Sequence, residues 1–200
     1  MSTSYHHGAL AGALVHAAIE ILDEQDGPTD LSLRAVARRA GVSTAAPYRH
    51  FPDRNALISA VAAVGYRELA ATLTQASPEP SSGDDLADIA VAYVSFALQR
   101  TGLFRAMFAE PCGTDPDRAE AVQVITAYLH KIVGRTVPSD NPEATATAMW
   151  ALVHGLAFLH LDGKLDTSSA AEVDKRVRAT VRAIIPPGAT NRAGYPRSGS

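Results

Sequence analysis

The chain has 200 residues, of which 46% are hydrophobic and 20% are charged, a composition typical of one globular domain or two small ones. Its net charge is −3, and its one cysteine, Cys112, excludes an intrachain disulfide and a four-cysteine zinc site. The single cysteine and an N-terminus without a signal-peptide pattern favour a cytoplasmic protein. The most apolar stretch, residues 149–161, is too short to span a bilayer, so we expect no membrane association.

Helical periodicity, punctuated by glycine and proline, predicts four helices ahead of residue 77. They extend over about residues 9–25, 32–40, 43–49 and 53–76. Ser32, Ser43 and Asp53 are expected to cap the last three, because a short side-chain oxygen can accept a hydrogen bond from a free amide of the first turn. Gly41 is expected to end the second helix in a left-handed conformation.

The remaining sequence is also predicted to be helical. A polar connection, residues 77–85, is followed by helices over about residues 86–97, 115–135, 141–161 and 168–185, with a short apolar segment at 102–108. Asp115, Asn141 and either Ser168 or Ser169 are expected to begin the last three. Residues 186–200 are rich in proline and glycine, and we expect a disordered basic tail. The predicted fold class is therefore all-α.

Residues 32–50, SLRAVARRAGVSTAAPYRH, have the pattern of a helix-turn-helix. Ala37 and Ala40 are small where two helices must approach closely, and Gly41 can take a positive φ at low cost. Residues 34–54 hold five arginines and one acidic residue, although the chain is acidic overall. From charge alone, a solvated helix face and a nucleic-acid-binding surface both remain open.

The third predicted helix would direct five side chains outward, those of Thr44, Ala45, Tyr48, Arg49 and His50. Small side chains near its start would let the helix sit deep in a major groove and contact thymine methyl groups. Tyr48 and His50 can donate to phosphates, which positions a protein without reading sequence. Pro47 would occupy the fourth helical position, and we expect it to keep the helix short.

The run Leu33–Phe51, followed by Asp53-Arg54-Asn55-Ala56-Leu57, resembles the N-terminal domain of the TetR family of bacterial transcription regulators. The resemblance implies that residues 1–53 form a helix-turn-helix DNA-binding domain, which a long helix joins to a helical ligand-binding and dimerisation domain at 54–185. It implies backbone contacts from Ser43, Tyr48 and His50, base contacts from Thr44 and Ala45, and a phosphate contact from Arg54. The complete predicted DNA-binding set is Ser32, Arg34, Ser43, Thr44, Ala45, Tyr48, Arg49, His50 and Arg54.

Two further segments resemble parts of this family. Tyr5-His6-His7-Gly8, ahead of the first predicted helix, resembles one branch, and either a disordered terminus or a DNA backbone contact fits it. Residues 150–155, WALVHG, resemble the signature of the C-terminal class called the WHG domain, and residues 102–108 resemble the segment that accompanies it. Trp150 and His154 lie one helical turn apart, and Gly155 would allow close helix approach.

Aromatic and apolar side chains of the C-terminal part are predicted to line a ligand pocket with one polar group. They are Tyr93, Phe96, Phe104, Met107, Phe108, Trp150, His154 and Phe158. A core that these side chains fill completely is the alternative for each of them. The last two long helices are expected to form a dimer interface.

These observations predict a homodimeric regulator that represses transcription from a palindromic double-stranded operator and is released by a small, mostly apolar effector. The alternative is a DNA-binding regulator whose C-terminal domain only dimerises or binds a protein partner. An enzyme is disfavoured, because Cys112 has no flanking motif and no metal-ligand spacing occurs among the histidines. We expect neither a cofactor nor a metal.

Overall fold

A computed structural model describes residues 3–25, 31–109 and 115–185, with side chains from residue 9 onward. The helices are α1 (Thr3–Gln25), α2 (Leu33–Arg39), α3 (Arg54–Ala76), α4 (Gly83–Gln99), α5 (Thr101–Ala109), α6 (Pro116–Thr136), α7 (Pro142–Leu161) and α8 (Ala170–Ile184). A short 3₁₀ turn, Pro47–Arg49, lies between α2 and α3. No strand occurs in this part of the chain, which confirms the all-α prediction. The predicted tail at 186–200 lies outside the described residues.

The helices pack into two compact units that do not follow chain order. The first unit contains the described residues up to Glu68 together with Gln99–Val124. The second contains Leu69–Leu98 and the described residues from Ile125 onward. Because α3 and α6 each contribute to both units, this division by packing differs from the predicted boundary at residue 53, which follows chain order.

The predicted capping residues begin five of the helices. In each case a side-chain oxygen accepts a hydrogen bond, 2.8–3.4 Å long, from the amide three residues later. The capping residues are Ser32, Asp53, Asp115, Asn141 and Ser169. A cap of this kind stabilises a helix by about 0.5–2 kcal/mol. The starts of α2, α3, α6, α7 and α8 are thereby confirmed.

The structure differs from the predicted third helix. Between Ser43 and Arg49 the backbone forms a turn and then a 3₁₀ turn, with bonds from Ala46 N to Ser43 O (2.9 Å) and from Arg49 N to Ala46 O (3.2 Å). Pro47 explains the difference, because it has no amide hydrogen to donate to Ser43 O four residues earlier. The tighter bonding from three residues later replaces the missing α-helical bond.

The structure also differs at the N-terminus, where α1 begins at Thr3 rather than near residue 9. Residues 5–8 are therefore part of the helix rather than a segment that precedes it. Only their backbone is described, so the predicted contacts of Tyr5, His6 and His7 lie outside the described side chains. Among the side chains of α1 that are described, from residue 9 onward, Leu14 is the first that is fully buried.

The core of the first unit is built by α1, α2, α3 and α5. Leu22, Val36 and Leu57 are completely buried in it. Gly102 places the backbone of α5 directly against α1, since a Cβ there would lie 1.8 Å from the carbonyl oxygen of Leu22. This contact between backbones fixes α5 in the N-terminal unit.

In the second unit, α4 and α8 are joined by both apolar and ionic contacts. Val177 and Val181 of α8 are fully buried. Arg178 pairs with Asp88, and Arg182 Nη2 lies 2.7 Å from Asp84 Oδ1. The two arginines are one helical turn apart and meet two acids that are also one turn apart, so the pairs fix the register of the two helices.

Two helices, α3 and α7, are long and apolar enough to cross a membrane by length and composition. Of the most apolar window of each helix, 50% is buried in α3 and 33% in α7. The apolar residues of α3 are thus largely explained as core. The smaller buried fraction of α7 leaves an apolar surface on that helix.

Candidate nucleic-acid interface and internal cavity

The turn after α2 is a Schellman motif that sets the direction of residues 43–50. Gly41 has φ +69°, the amide of Val42 donates to Ala37 O (3.0 Å), and the amide of Gly41 donates to Arg38 O (3.2 Å). Only glycine takes this conformation without strain from a side chain. The turn places Ser43 at the surface immediately after the helix end.

Residues 43–50 bury one side chain against the first unit and expose most of the others. Pro47 is buried, and Phe51, which follows this segment, is 8% exposed. The exposed side chains are those of Ser43, Thr44, Ala45, Tyr48 and Arg49. Tyr48 is 51% exposed, which is uncommon for a large aromatic residue. The structure therefore brings five of the predicted residues to one continuous stretch of surface, with half-buried His50 at its end.

The first turns of α2 add basic and hydroxyl groups to the same segment. Ser32 and Arg34 are exposed, although the Ser32 hydroxyl oxygen already accepts the capping bond from Ala35 N. Arg38, which the sequence analysis did not select, is also exposed and lies one turn after Arg34. The spacing of four residues between the two arginines was the signal that could have identified it.

Arg39 forms ion pairs with two acidic residues of α1. Its Nη1 and Nη2 donate to Glu24 Oε1 and Oε2 at 2.8 and 2.5 Å, and Nη1 lies 3.5 Å from Glu20 Oε2. The hydrogen bond from Arg39 holds the pKa of the Glu24 carboxyl below its ordinary value. One of the five arginines at 34–54 is thus neutralised within the protein.

Arg54 has a structural contact in addition to its predicted role. Its Nε donates to the carbonyl oxygen of Leu31 at 2.9 Å, in a partly buried position. This bond ties the first residue of α3 to the residue ahead of the Ser32 cap. The Arg54 side chain therefore helps to set the position of α2 relative to α3.

The predicted pocket residues fall into two groups in different units. In the first unit, Phe104 and Met107 are completely buried, and the Phe104 and Phe108 rings lie 4.9 Å apart. The hydroxyl of Tyr66 donates to Met107 O at 3.1 Å, and its ring meets the Phe108 ring edge-on at 5.6 Å. These contacts make the group part of a packed core.

The second unit holds Tyr93, Phe96, Trp150, His154 and Phe158. Tyr93, 2% exposed, bonds through its hydroxyl to His154 Nδ1 at 3.0 Å, and Trp150 Nε1 donates to the same hydroxyl at 3.4 Å. The His154 and Phe158 rings lie 4.8 Å apart, while Phe96 is buried. One polar group was predicted for this region. The structure has three polar side chains there, Trp150, Tyr93 and His154, which are joined by hydrogen bonds.

The Trp150 indole can only donate, so the Tyr93 hydroxyl oxygen accepts that bond. The direction of the bond between Tyr93 and His154 depends on the histidine tautomer, and Nδ1 accepts it when neutral His154 carries its hydrogen on Nε2. Burial lowers the pKa of His154, which favours this neutral form at physiological pH.

An apolar cavity of about 30 Å³ lies beside this chain of side chains. It is lined from α3, α4, α6 and α7, and Tyr93 and Trp150 are the predicted ligand residues among its lining. Sites for drug-sized molecules usually measure about 300–1,000 Å³. As it stands, the cavity holds no more than about two water-sized molecules.

Comparison with known proteins places both halves of the chain in one family. Residues 14–61 match the family model described as bacterial regulatory proteins, tetR family, and residues 86–184 match the model of the tetracyclin repressor-like C-terminal domain. The chain belongs to the TetR family. The resemblance of residues 33–57 to this family of bacterial regulatory proteins is confirmed. The WHG subclass of residues 150–155 stays a prediction.

Relatives of this TetR-family chain agree with that assignment. An uncharacterized HTH-type transcriptional regulator of Haemophilus influenzae is 32% identical over 122 residues, which is 60% of this chain and 60% of the relative. A protein of unknown function from Rhodococcus sp. RHA1 is 35% identical, with a TM-score of 0.74, over 92% of this chain and 99% of that one. A tetR-family regulatory protein from Rhodococcus RHA1, 19% identical over 88% and 96% of the two chains, shares the fold with a TM-score of 0.67.

Proposed function

We propose that this TetR-family regulator represses transcription by binding a palindromic operator as a homodimer. The observation that carries the proposal is the segment 43–49, in which Pro47 is buried while five side chains are exposed, those of Ser43, Thr44, Ala45, Tyr48 and Arg49. The proposed DNA contacts are Ser32, Arg34, Ser43, Thr44, Ala45, Tyr48, Arg49, His50 and Arg54, with Arg38 added from its exposure.

The proposed contacts divide by chemistry. Thr44 and Ala45 have short side chains that allow close approach to base edges and can contact thymine methyl groups. Tyr48 and His50 can donate to phosphates, while Arg34 and Arg38 supply positive charge from the preceding helix. Because residues 43–49 form turns and not a full helix, only a few of their side chains, chiefly those of Thr44 and Ala45, would carry the base contacts.

An apolar stripe on the exposed side of α7 supports the homodimer. The stripe follows the helical spacing and consists of Ala144, Ala148, Ala151, Gly155 and Leu159. Gly155 was predicted to allow close approach, yet a Cβ there would meet no atom of the described chain within 4 Å. A second copy of α7 is the natural partner for such a surface, and two-fold symmetry would place two DNA-binding segments on successive major grooves, about 34–36 Å apart.

Release by a small, mostly apolar effector in the second unit is the finer part of the proposal. Tyr93, Trp150 and His154 offer a polar contact beside an apolar cavity, and a coupling of about 1–3 kcal/mol would be enough to change DNA occupancy strongly. The volume of about 30 Å³ requires the cavity to widen when such an effector binds. The same small volume favours the alternative, a C-terminal part that only dimerises or binds a protein partner.

Selection from a random duplex pool at near-physiological salt tests the proposed function. We expect an enriched palindrome whose half-site centres are about one helical turn, or a multiple of it, apart. Absence of enrichment by the folded protein would count against the assignment of segment 43–49. The fluorescence of Trp150 during titration with apolar compounds separates the two forms of the proposal: a saturable change supports an effector, and no change supports the alternative.

A further inference from the structure

A cleft lies between α1 and α3 in the first unit. It has a volume of about 590 Å³, within the usual range for small-molecule sites, and is far larger than the cavity of the second unit. Its apolar base includes Ile19, Phe51 and Ala63, which are 8%, 8% and 1% exposed. The base of the cleft is therefore part of the packed core of the unit. A molecule in the cleft would lie on side chains that this packing already holds in place.

Gly12 forms part of one wall in the middle of α1. Glycine is unfavourable in a helix interior, and here no internal contact calls for it, because a Cβ would meet no atom of the described chain within 4 Å. Its effect is to leave the backbone of α1 open toward the cleft. A bound molecule could therefore approach that backbone more closely than any side chain would allow.

The two arginines on the rim of the cleft differ in how closely they are paired with acids. Arg100 is bound by two acids, with Nε 3.0 Å from Asp23 Oδ2 and Nη1 2.8 Å from Glu68 Oε2. Arg67 is 55% exposed, and its ion pair with Asp117 is long, 3.9 Å, with an acid that is itself 77% exposed. Arg67 can therefore pair with a bound anion and lose only a weak, exposed ion pair.

We infer that this cleft binds an amphipathic monoanion, a molecule with a compact apolar body and one carboxylate or sulfonate group. The apolar body lies on Ile19, Phe51 and Ala63 against the backbone at Gly12. The anionic group pairs with Arg67, whose planar guanidinium suits a two-oxygen acceptor. This site lies in the unit that also carries the proposed DNA contacts, and it does not depend on those contacts.

The probe for the test is anilinonaphthalene sulfonate, with phenylnaphthylamine as a matched molecule that lacks only the sulfonate. Fluorescence titration of the full chain without DNA is expected to show saturable binding of the sulfonate at one molecule per chain. We expect binding of the neutral molecule to be weaker by at least about tenfold. Arg67→Gln should weaken sulfonate binding by a similar factor and leave binding of the neutral molecule unchanged.

Variants at position 12 locate the molecule. Gly12→Phe adds a ring at a position whose Cβ would meet no atom of the described chain, and it should fill the cleft and abolish saturable binding. Gly12→Ala, which makes the same backbone change without filling the space, should keep binding within about twofold. Trp150→Phe alters the other cavity and should have no effect. Unchanged sulfonate binding in Gly12→Phe, equal binding of the two probes, or no saturable binding at all would each overturn the inference. Circular dichroism confirms that the variants are folded.

Discussion

Tyr93 and His154, 61 residues apart in the chain, are joined by a hydrogen bond of 3.0 Å between the phenol oxygen and Nδ1. The bond connects α4 to α7 inside the second unit, and the Trp150 indole donates to the same phenol oxygen. These bonds favour the arrangement of the two helices that keeps the hydroxyl of buried Tyr93 paired.

Tyr93→Phe should therefore destabilise the protein while keeping the shape of the core. We expect a loss of about 0.5–1.5 kcal/mol in the free energy of unfolding, which is the usual net value of one hydrogen bond. Urea denaturation followed by circular dichroism measures it. Phe96→Leu serves as a control that changes the apolar packing of the same helix and leaves the bond in place. A Tyr93→Phe variant with wild-type stability would show that the bond contributes nothing.

Stability should fall on acidification through the histidines of the second unit. Burial lowers the pKa of His154, and burial together with the nearby Arg176 lowers the pKa of His160, against an opposing effect of Asp166. The unfolded chain, with pKa values near 6.5, then binds more protons than the folded chain as the pH falls below about 7. The free energy of unfolding therefore decreases with falling pH.

Urea denaturation at about pH 7.5 and about pH 5.5, roughly one unit on either side of the ordinary histidine pKa, checks this expectation. The double variant His154→Gln, His160→Gln should show a smaller decrease than the wild type. An equal decrease in both proteins would assign the effect to other groups.

Much of the local structure could be predicted because it depends on neighbouring residues. The caps at Ser32 and Asp53 and the left-handed turn at Gly41 rest on contacts within four residues, and all three are confirmed. The 3₁₀ turn at residues 47–49 replaces a predicted helix, although Pro47 carried the signal. One missing amide hydrogen removes a larger share of the helical hydrogen bonds from a segment of seven residues than from a long helix.

Contacts between distant residues could not be predicted. Nothing near Arg39 in the sequence indicates that Glu24 and Glu20 of α1 bind it. The aromatic residues at 104–108 look the same in sequence whether they line a pocket or fill a core, and the structure buries Phe104 and Met107 in the N-terminal unit. Such outcomes depend on which helices pack together, and periodicity gives only the face of each helix.

Gly102→Ala should be strongly destabilising. The added Cβ would lie 1.8 Å from the carbonyl oxygen of Leu22, and relief requires α1 and α5 to separate. We expect a loss of at least about 1–3 kcal/mol, the usual cost of overpacking. Gly134→Ala in α6 is the matched control: a Cβ there meets nothing within 4 Å, and stability should rise by up to about 1 kcal/mol. Thermal denaturation compares the two, and equal effects would contradict the backbone contact.

Arg38 and Arg39 are neighbours that should behave differently on DNA. Both are exposed, but Arg39 is already paired with Glu24 at 2.5 Å and would have to leave that acid to bind a phosphate. Arg38→Ala should reduce the slope of log K against log salt concentration by about 0.9, the value for one phosphate contact. Arg39→Ala should leave that slope unchanged. Titration of the selected operator at several salt concentrations measures both slopes, and a reversed order would show that Arg39 leaves Glu24 when DNA binds.

Gly155 provides the test of the proposed homodimer. The residue lies in the apolar stripe of α7, and a Cβ there would meet no atom of the described chain within 4 Å. Gly155→Phe should therefore leave the folded monomer intact and prevent two copies of α7 from approaching. We expect a shift from dimer to monomer in sedimentation equilibrium, with operator affinity falling because one half-site alone remains bound. Gly134→Phe, also an added ring with no internal contact at its Cβ, should stay dimeric. A Gly155→Phe variant that sediments as a wild-type dimer would move the interface away from this face of α7.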